Sequence, residues 1–457
     1  MADADWLAPG SDGVRTVPGT GFPIATTIRD ALYDRIPLSA PELALVSTPA
    51  FLRLDRIQQL GFVSRVWPGA KHARYDHSLG VLHLTRLAIA HLRSTPGGAW
   101  IEDGDARVVT AAALLHDIGH YPFSHAIEEL GPPIVPHEKV GARIIEGPEI
   151  APILREGWQV DPARVAAVVD PRGRELRPAD RVLRGVLSGP LDMDKLDYLP
   201  RDARACNVPY GGVDSARLID ALRIVEPPTG GAPERRVAIG AKGVSPLHSL
   251  INARQEMFDN VYWHHTNRAC MAMLLRAVQD ALAERAIAPA DLTGLDDASL
   301  LDSLADPAMP PSTRRLTAAL RERRIYKRGV DISARAAELY GRLGNLFFDP
   351  AARRAAEIHL AGALALDLGA PVEPEAVLID IPKPEKWRTD VWVAFDAPPV
   401  GFSELMAWKD VVGLTDDDFK RYEERRRLIR IVAAAPYREH LARNWERLLL
   451  PLLGGVF

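Results

Sequence analysis

The chain has 457 residues, 47% of them apolar and 25% charged, with a formal net charge of −4. That length can bury a sizeable core, and that balance excludes a disordered chain. The mild negative charge argues against a protein built to coat nucleic acid or an anionic membrane, and favours a compact ligand that a local basic pocket could hold.

Cys206 and Cys270 show neither a metal-ligand spacing nor a secreted disulfide pattern, so they read as reduced thiols. Residues 1–10 lack an apolar core of signal-peptide length, and no run approaches the length of a bilayer span. The expected setting is therefore the cytoplasm, without a membrane partner.

In chain order, residues 1–45 are rich in Gly, Pro and Asp and read as a lead-in with an extended piece around Ile28 to Leu38. Helical patterning begins at Pro41. After the Val66-Trp67-Pro68-Gly69 turn, His77, Val81, Leu84 and Ala88 share one stripe, which places His77 at the start of a helix. Asp105 reads as the N-cap of the next helix, whose stripe of Val108, Val109, Ala112 and Leu115 delivers His116 and Asp117 at its end. A short helix is expected from about Ser124 to Leu130, and another opens at His137-Glu138 after the Pro132-Pro133 and Pro136 breakers.

Two short strands, Leu222 to Val225 and Arg235 to Ile239, flank a loop marked by Pro227, Pro228, Gly230 and Gly231. The spacing then predicts one long helix from Pro246 past Leu282. From Pro289 to Asp349 the pattern is of short, charged, surface helices. Val377 to Ile381 and Val391 to Phe395 read as strands, and Asp416 to Leu450 as helix. The expected fold is mainly α, a helical core with a smaller α+β accessory portion, divided as residues 1–45, 46–288 and 289–457.

One imidazole upstream (His77), an adjacent imidazole and carboxylate (His116, Asp117) and a later carboxylate (Asp194) form a mixed nitrogen and oxygen set suited to a divalent ion. Nitrogen ligands favour Mn, Fe, Co, Ni or Zn, and the two carboxylates leave Mg open. Taken singly, each is weak. About one His-Asp pair is expected by chance, and a lone His77 at a helix start is commonly a cap. Around the set, His120, His125, His137, Arg74, Lys195 and Arg254 are candidates for proton transfer and for binding phosphate oxygens, whose negative charge must be neutralised before water can attack.

The series Arg74-Tyr75-Asp76-His77, His116-Asp117-Ile118-Gly119-His120 with Pro122-Phe123-Ser124-His125, His137-Glu138, and Asp192-Met193-Asp194-Lys195-Leu196-Asp197-Tyr198 with Arg201-Asp202 resembles the HD-superfamily deoxynucleoside triphosphate triphosphohydrolases, in order and spacing, from about Thr48 to Arg268. The resemblance implies an HD phosphohydrolase domain over 46–288, with His77, His116, Asp117 and Asp194 holding the ion. It implies His137, with Glu138 beside it, as the acid that protonates the departing 5′ oxygen, and His120 and His125 as lining the phosphate pocket. Arg74, Lys195 and Arg254 match phosphate contacts, Tyr198 and Asp202 groups at the sugar and base, and Gln59, Leu60 and Tyr262 the wall that excludes a 2′-hydroxyl. The implied reaction releases a deoxynucleoside and intact tripolyphosphate from a deoxynucleoside triphosphate, in a homo-oligomeric protein. A phosphohydrolase acting on another nucleotide, a monophosphate or a phosphodiester, and an inactive nucleotide-binding regulator are the alternatives.

The chain departs from the family pattern at two places. Asp30-Ala31-Leu32-Tyr33-Asp34 stands where several relatives have Asp-Pro-x-His-Gly. Ser47, Leu52 and Asp55 stand where an Asp, a Gln and an Arg help bind an activating guanine nucleotide. Leu52 offers no hydrogen bond and Asp55 repels phosphate, so no guanine-dependent activation is expected.

Overall fold

The computed structural model describes residues 15–228, 234–383 and 390–449, so residues 1–14 of the lead-in, Gly230, Gly231 and Leu450 lie outside the described residues. The fold is mainly helical with small sheets, as expected. Among the described residues no helix is long and apolar enough to cross a membrane.

The centre is the helix Arg74–Ser94, against which Asp103–Leu115 and Met193–Cys206 both pack. Leu82, Ile89, Val108, Ala112, Leu115, Leu196 and Leu199 meet in the first core, each buried. Burial of one such Leu or Ile side chain stabilises by about 1.5–3 kcal/mol, so these three helices form a rigid frame. Their ends carry the polar residues of the site. The middle helix starts at Asp103, three residues earlier than expected: Glu102 is its N-cap, and Asp105, three residues on, accepts from the Glu102 amide at 3.4 Å.

Strands run in chain order as β1 (Ile24–Asp30), β2 (Asp34–Ser39), β3 (Leu222–Val225), β4 (Arg236–Gly240), β5 (Lys327–Ser333), β6 (Val377–Asp380), β7 (Trp392–Ala394), β8 (Leu405–Ala407) and β9 (Leu428–Ala433). β1 and β2 form an antiparallel hairpin that realises the expected extended piece. The second sheet has the order β3-β4-β7-β8, with β7 parallel to β4 through Ile239 and Val393. Val391, Val393 and Trp408 thereby enter the first core, although they follow the accessory helices in sequence. The third sheet, β5-β9-β6, is packed by the helices Pro350–Leu368 and Arg438–Leu449 around Leu360, Leu364, Ile379, Ile431 and Leu441.

Three expectations fail for identifiable reasons. The long helix past Pro246 is two helices, Val244–Met257 and His265–Ala283, separated by a π-helical turn at Phe258–Tyr262 and a fresh N-cap in which the His264 ring accepts from the Thr266 amide. No Gly or Pro announces that break. The helices Asp297–Leu304 and Pro311–Arg321 bury Leu300, Leu304, Leu316 and Leu320 in a second core with Met273 and Leu274, so they are more than a solvated surface layer. The expected helix over 416–450 is interrupted by β9, the central strand of its sheet. Its apolar run, buried on both faces, lacks the alternation that marks a half-exposed strand.

Candidate metal centre

His77 lies on the first turn of the Arg74–Ser94 helix, His116 is the C-cap of Asp103–Leu115, and Asp194 is on the first turn of Met193–Cys206. The frame of three helices therefore brings the three residues together, with one ligand atom of each within 4.8 Å of the others. His77 Nε2 is 3.0 Å from Asp194 Oδ1, and His116 Nε2 is 3.8 Å from the same oxygen. Asp117 completes the ring, its carboxylate 3.4 Å from His116 Nε2 and 3.9 Å from His77 Nε2.

These separations fit one ion. Bonds of about 2.1 Å place neighbouring ligand atoms about 3.0–3.4 Å apart, and two of the four distances fall there while two are a little wider. His116 supplies a second sign. Its Nδ1 bonds the Ala113 carbonyl at 2.8 Å, which directs Nε2 inward, and that buried nitrogen has no hydrogen-bond partner among the described residues. A buried, unsatisfied nitrogen aimed at two carboxylates is costly unless a cation occupies the space between them. With both imidazole and carboxylate donors, the set suits a divalent ion such as Mn, Fe, Co, Ni, Zn or Mg.

The electrostatics follow from the same contacts. Burial opposes protonation of His77, but its hydrogen bonds to Asp194 and Asp197 prevail and raise it to about 10. Burial also opposes ionisation of Asp117, yet Arg74, then His116 and His77, hold it well below the usual carboxylate range. Arg74 forms a very short ion pair with Asp117 and donates from Nε to Ser124 Oγ at 3.0 Å. Ser124 in turn donates toward the Gln58 and Gln59 carbonyls. Phe123 and Ser124 both have φ near +60°, a region unfavourable for non-glycine residues. The Asp297 carboxylate, accepting from the Phe123 and Gln58 amides at 2.6 and 3.0 Å, helps hold the turn.

A second group lies beside the first. His120 is fully buried, stacked on His137 with ring centroids 4.0 Å apart, and neither of its nitrogens has a hydrogen-bond partner among the described residues. Burial, then Arg74, keep it neutral, well below its ordinary value. Gly119 makes this stack possible. A Cβ there would stand 2.2 Å from the Gly141 amide nitrogen and the His137 carbonyl, so only glycine lets the His137–Ile145 helix press onto the loop after Asp117.

His137 Nδ1 bonds Glu128 Oε1 at 3.0 Å, and the same carboxylate accepts from the His137 amide at 2.7 Å and meets His125 Nδ1 at 3.0 Å. Burial would lower His137, but Glu128 raises it, leaving Nε2 facing Asp117 at 3.8 Å. His125 is mostly exposed. Glu138 stands farther off, 3.9 Å from His137 Nδ1, and pairs with Arg172 at 3.2 Å.

On the other side of Asp194 opens a cleft of about 700 Å³ lined by Asp192, Asp194, Lys195, Arg236 and Arg254. Lys195 Nζ is anchored by Asp192 Oδ2 at 2.7 Å and the Gly189 carbonyl at 2.9 Å. Arg254 lies over the Phe258 ring at 5.2 Å. Tyr198 is half-buried, its ring 6.4 Å from both His77 and Tyr262. Tyr262, positioned by the π-helical turn, donates to Asp202 Oδ2 at 2.7 Å, and His72 meets Asp202 Oδ1 at 2.8 Å. Gln59 and Leu60 are half-buried on the turn held by Ser124, with Gln59 Oε1 buried and without a hydrogen-bond partner among the described residues.

Glu128, Asp197 and His72 belong to this constellation and were given no role from sequence. For Asp197 a signal existed. It follows Asp194 by three residues, which puts both carboxylates on one face of a helix. Glu128 likewise follows His125 by three, but its bond to His137 spans a proline-rich loop that spacing does not constrain.

The profile of the HD domain matches residues 74–183, and that of the HD associated region matches residues 213–397. An uncharacterized protein of Methanocaldococcus jannaschii, MJ1154, is 30% identical over 278 residues, 61% of this chain and 54% of that one. The deoxynucleoside triphosphate triphosphohydrolase SAMHD1 homolog of Dictyostelium discoideum is 25% identical over 319 residues, 66% of this chain and 59% of that one. The crystal structure of a phosphohydrolase, BT4208, from Bacteroides thetaiotaomicron has the same fold, with a TM-score of 0.67 and 23% identity over 90% of this chain and 99% of that one. The chain spans about half the length of the first curated relatives it matches. Sequence profile and site geometry agree: the chain carries an HD domain over residues 74–183, whose His77, His116 and Asp117 converge with Asp194.

Proposed function

We propose that the protein is a metal-dependent phosphohydrolase that cleaves deoxynucleoside triphosphates to deoxynucleoside and tripolyphosphate. The observation that supports this reading is the juxtaposition of two parts: the convergent side chains of His77, His116, Asp117 and Asp194, and, bordering them, the His137 imidazole held by Glu128. When bound, the ion supplies Lewis acidity toward water and toward a phosphoryl oxygen.

The chain's own residues provide the rest. Arg74, Lys195 and Arg254 bring positive charge to the phosphates, which resist attack until their negative oxygens are compensated. As the bond between the α-phosphorus and the 5′ oxygen breaks, His137 donates its Nε2 proton to that oxygen, and Glu128 compensates the ring's charge through Nδ1 until then. His120, neutral and with no hydrogen-bond partner on either ring nitrogen among the described residues, offers a ring nitrogen to the same phosphate, with exposed His125 at the rim. Tyr198 and the Asp202–Tyr262 pair form the wall beside the sugar, closed by Gln59 and Leu60, which supports discrimination against a 2′-hydroxyl.

Incubation of the protein with each of the four deoxynucleoside triphosphates, in Mg, Mn, Co or Ni, tests this reading. Deoxynucleoside and tripolyphosphate in equal amounts are expected. Release of orthophosphate or pyrophosphate instead assigns a different bond, and no product under any condition favours a binding protein.

A further inference from the structure

From the structure we infer that Tyr33, at the tip of the β1–β2 hairpin, is a positioning residue for the cation, acting through Asp197 on the ligand His77. The inference rests on the cation centre proposed above. The hairpin lies outside both segments matched by the family profiles.

His77 must present Nε2 to an ion, and its other nitrogen decides how firmly. Nδ1 meets Asp197 Oδ2 at 2.8 Å, a carboxylate behind a ligating imidazole of the kind that fixes tautomer and ring orientation. Asp197 is fully buried, so each of its oxygens needs donors. Arg201 supplies two, from Nε to Oδ2 at 2.8 Å and from Nη2 to Oδ1 at 2.9 Å. Tyr33 supplies another, its hydroxyl donating to Oδ1 at 2.8 Å across 164 residues of sequence.

The hairpin is built for that contact. Asp30, at the end of β1, accepts from the Leu32 and Tyr33 amides at 2.7 and 3.0 Å, which closes the turn, and its other oxygen takes Arg201 Nη1 at 2.8 Å. The Tyr33 ring lies against His83, centroids 4.9 Å apart, with the Arg201 guanidinium over it at 5.7 Å. Gly80 leaves room on the helix, since a Cβ there would stand 1.8 Å from Asp197 Oδ1. The hairpin thus clamps the carboxylate that aims His77.

The test is a calorimetric titration of Mn²⁺ into the full chain as wild type, Tyr33→Phe and Asp30→Asn, with thermal unfolding of each protein free of metal. Tyr33→Phe keeps the ring and removes only the hydroxyl. Groups bonded directly to a ligand alter metal affinity roughly 10- to 100-fold; Tyr33 acts one bond further back, so the Mn²⁺ Kd is expected to rise about three- to tenfold in Tyr33→Phe while the metal-free Tm stays within a few degrees. Asp30→Asn, which loosens the hairpin turn and Arg201 together, is expected to weaken binding in the same direction, and should Tyr33→Phe not fold, an unchanged Kd in Asp30→Asn overturns the role of the hairpin. An unchanged Kd in the folded variant overturns the role of Tyr33 alone. Absence of Mn²⁺ binding by the wild type overturns the cation centre itself.

Discussion

Replacing Glu128 by Gln removes a charge while keeping a side chain of the same length beside His137. In the folded protein that imidazole is raised above its ordinary value of 6.5 because the Glu128 carboxylate, 3.0 Å from Nδ1, outweighs burial. A hydrogen bond to a charged group contributes about 1.5–3 kcal/mol, which corresponds to about one to two pH units. The sign is fixed: without the carboxylate, burial is left to lower the group, so His137 loses its proton at lower pH. Over the same range Gln also fails to accept from the His137 amide as strongly, which loosens the ring. The assay is kcat against pH from 5.5 to 9.5 with the best deoxynucleoside triphosphate substrate in Mn²⁺. The alkaline limb should move down by about one to two units, so that at a given pH on that limb kcat should fall by up to roughly 10- to 100-fold. A pH profile superposable on the wild type would remove His137 as the acid and Glu128 as its support.

Other consequences are independent of that one. His83 is buried and held down to about 3, first by burial and then by Arg86, so acidification must charge it only in the unfolded chain. Stability should therefore fall by about 2 kcal/mol through this group between pH 7 and pH 5, and urea unfolding of His83→Gln should lack that loss; parallel curves would contradict it. Arg53 is committed to the Ile118 and Leu295 carbonyls at 2.9 Å each, and Leu52 beside it is exposed and apolar, so GTP or dGTP at millimolar concentration should not accelerate turnover, and a saturable rise would refute this. In Gly119→Ala the new methyl meets backbone on the His137 helix, which predicts a lowered Tm, by about 1–3 kcal/mol of overpacking, and a kcat loss larger than any rise in KM. A variant as stable and active as the wild type would show that the His120–His137 stack is not needed.

What the sequence made legible was set by local rules. The stripe through His77, Val81, Leu84 and Ala88 gave the central helix, and the apolar run ending at Leu115 put His116 and Asp117 at a helix end, where the chain turns and side chains can face a common centre. The hairpin residues were recognisable as extended, and the carboxylates of 192–197 as a helix start. Helix contacts between residues distant in sequence were not legible from spacing. His120 stacks on His137 only because Gly119 lets two backbones touch, and Tyr33 reaches Asp197 only through the fold of the hairpin onto the Arg74–Ser94 helix. β9 was hidden for a different reason: its run from Leu428 to Ala433 is buried on both sides, so periodicity has nothing to report. The π-helical turn before Trp263, which aims Tyr262 at Asp202, carries no breaker residue at all.

The claim on which the account stands is that His77, His116, Asp117 and Asp194 share one divalent ion, and metal content tests it most directly. After equilibration with Mn²⁺ and desalting, elemental analysis of the wild type should give one ion per chain, and Asp194→Asn, folded by circular dichroism, should give close to none. Equal metal in the two proteins, or none in the wild type, would contradict it.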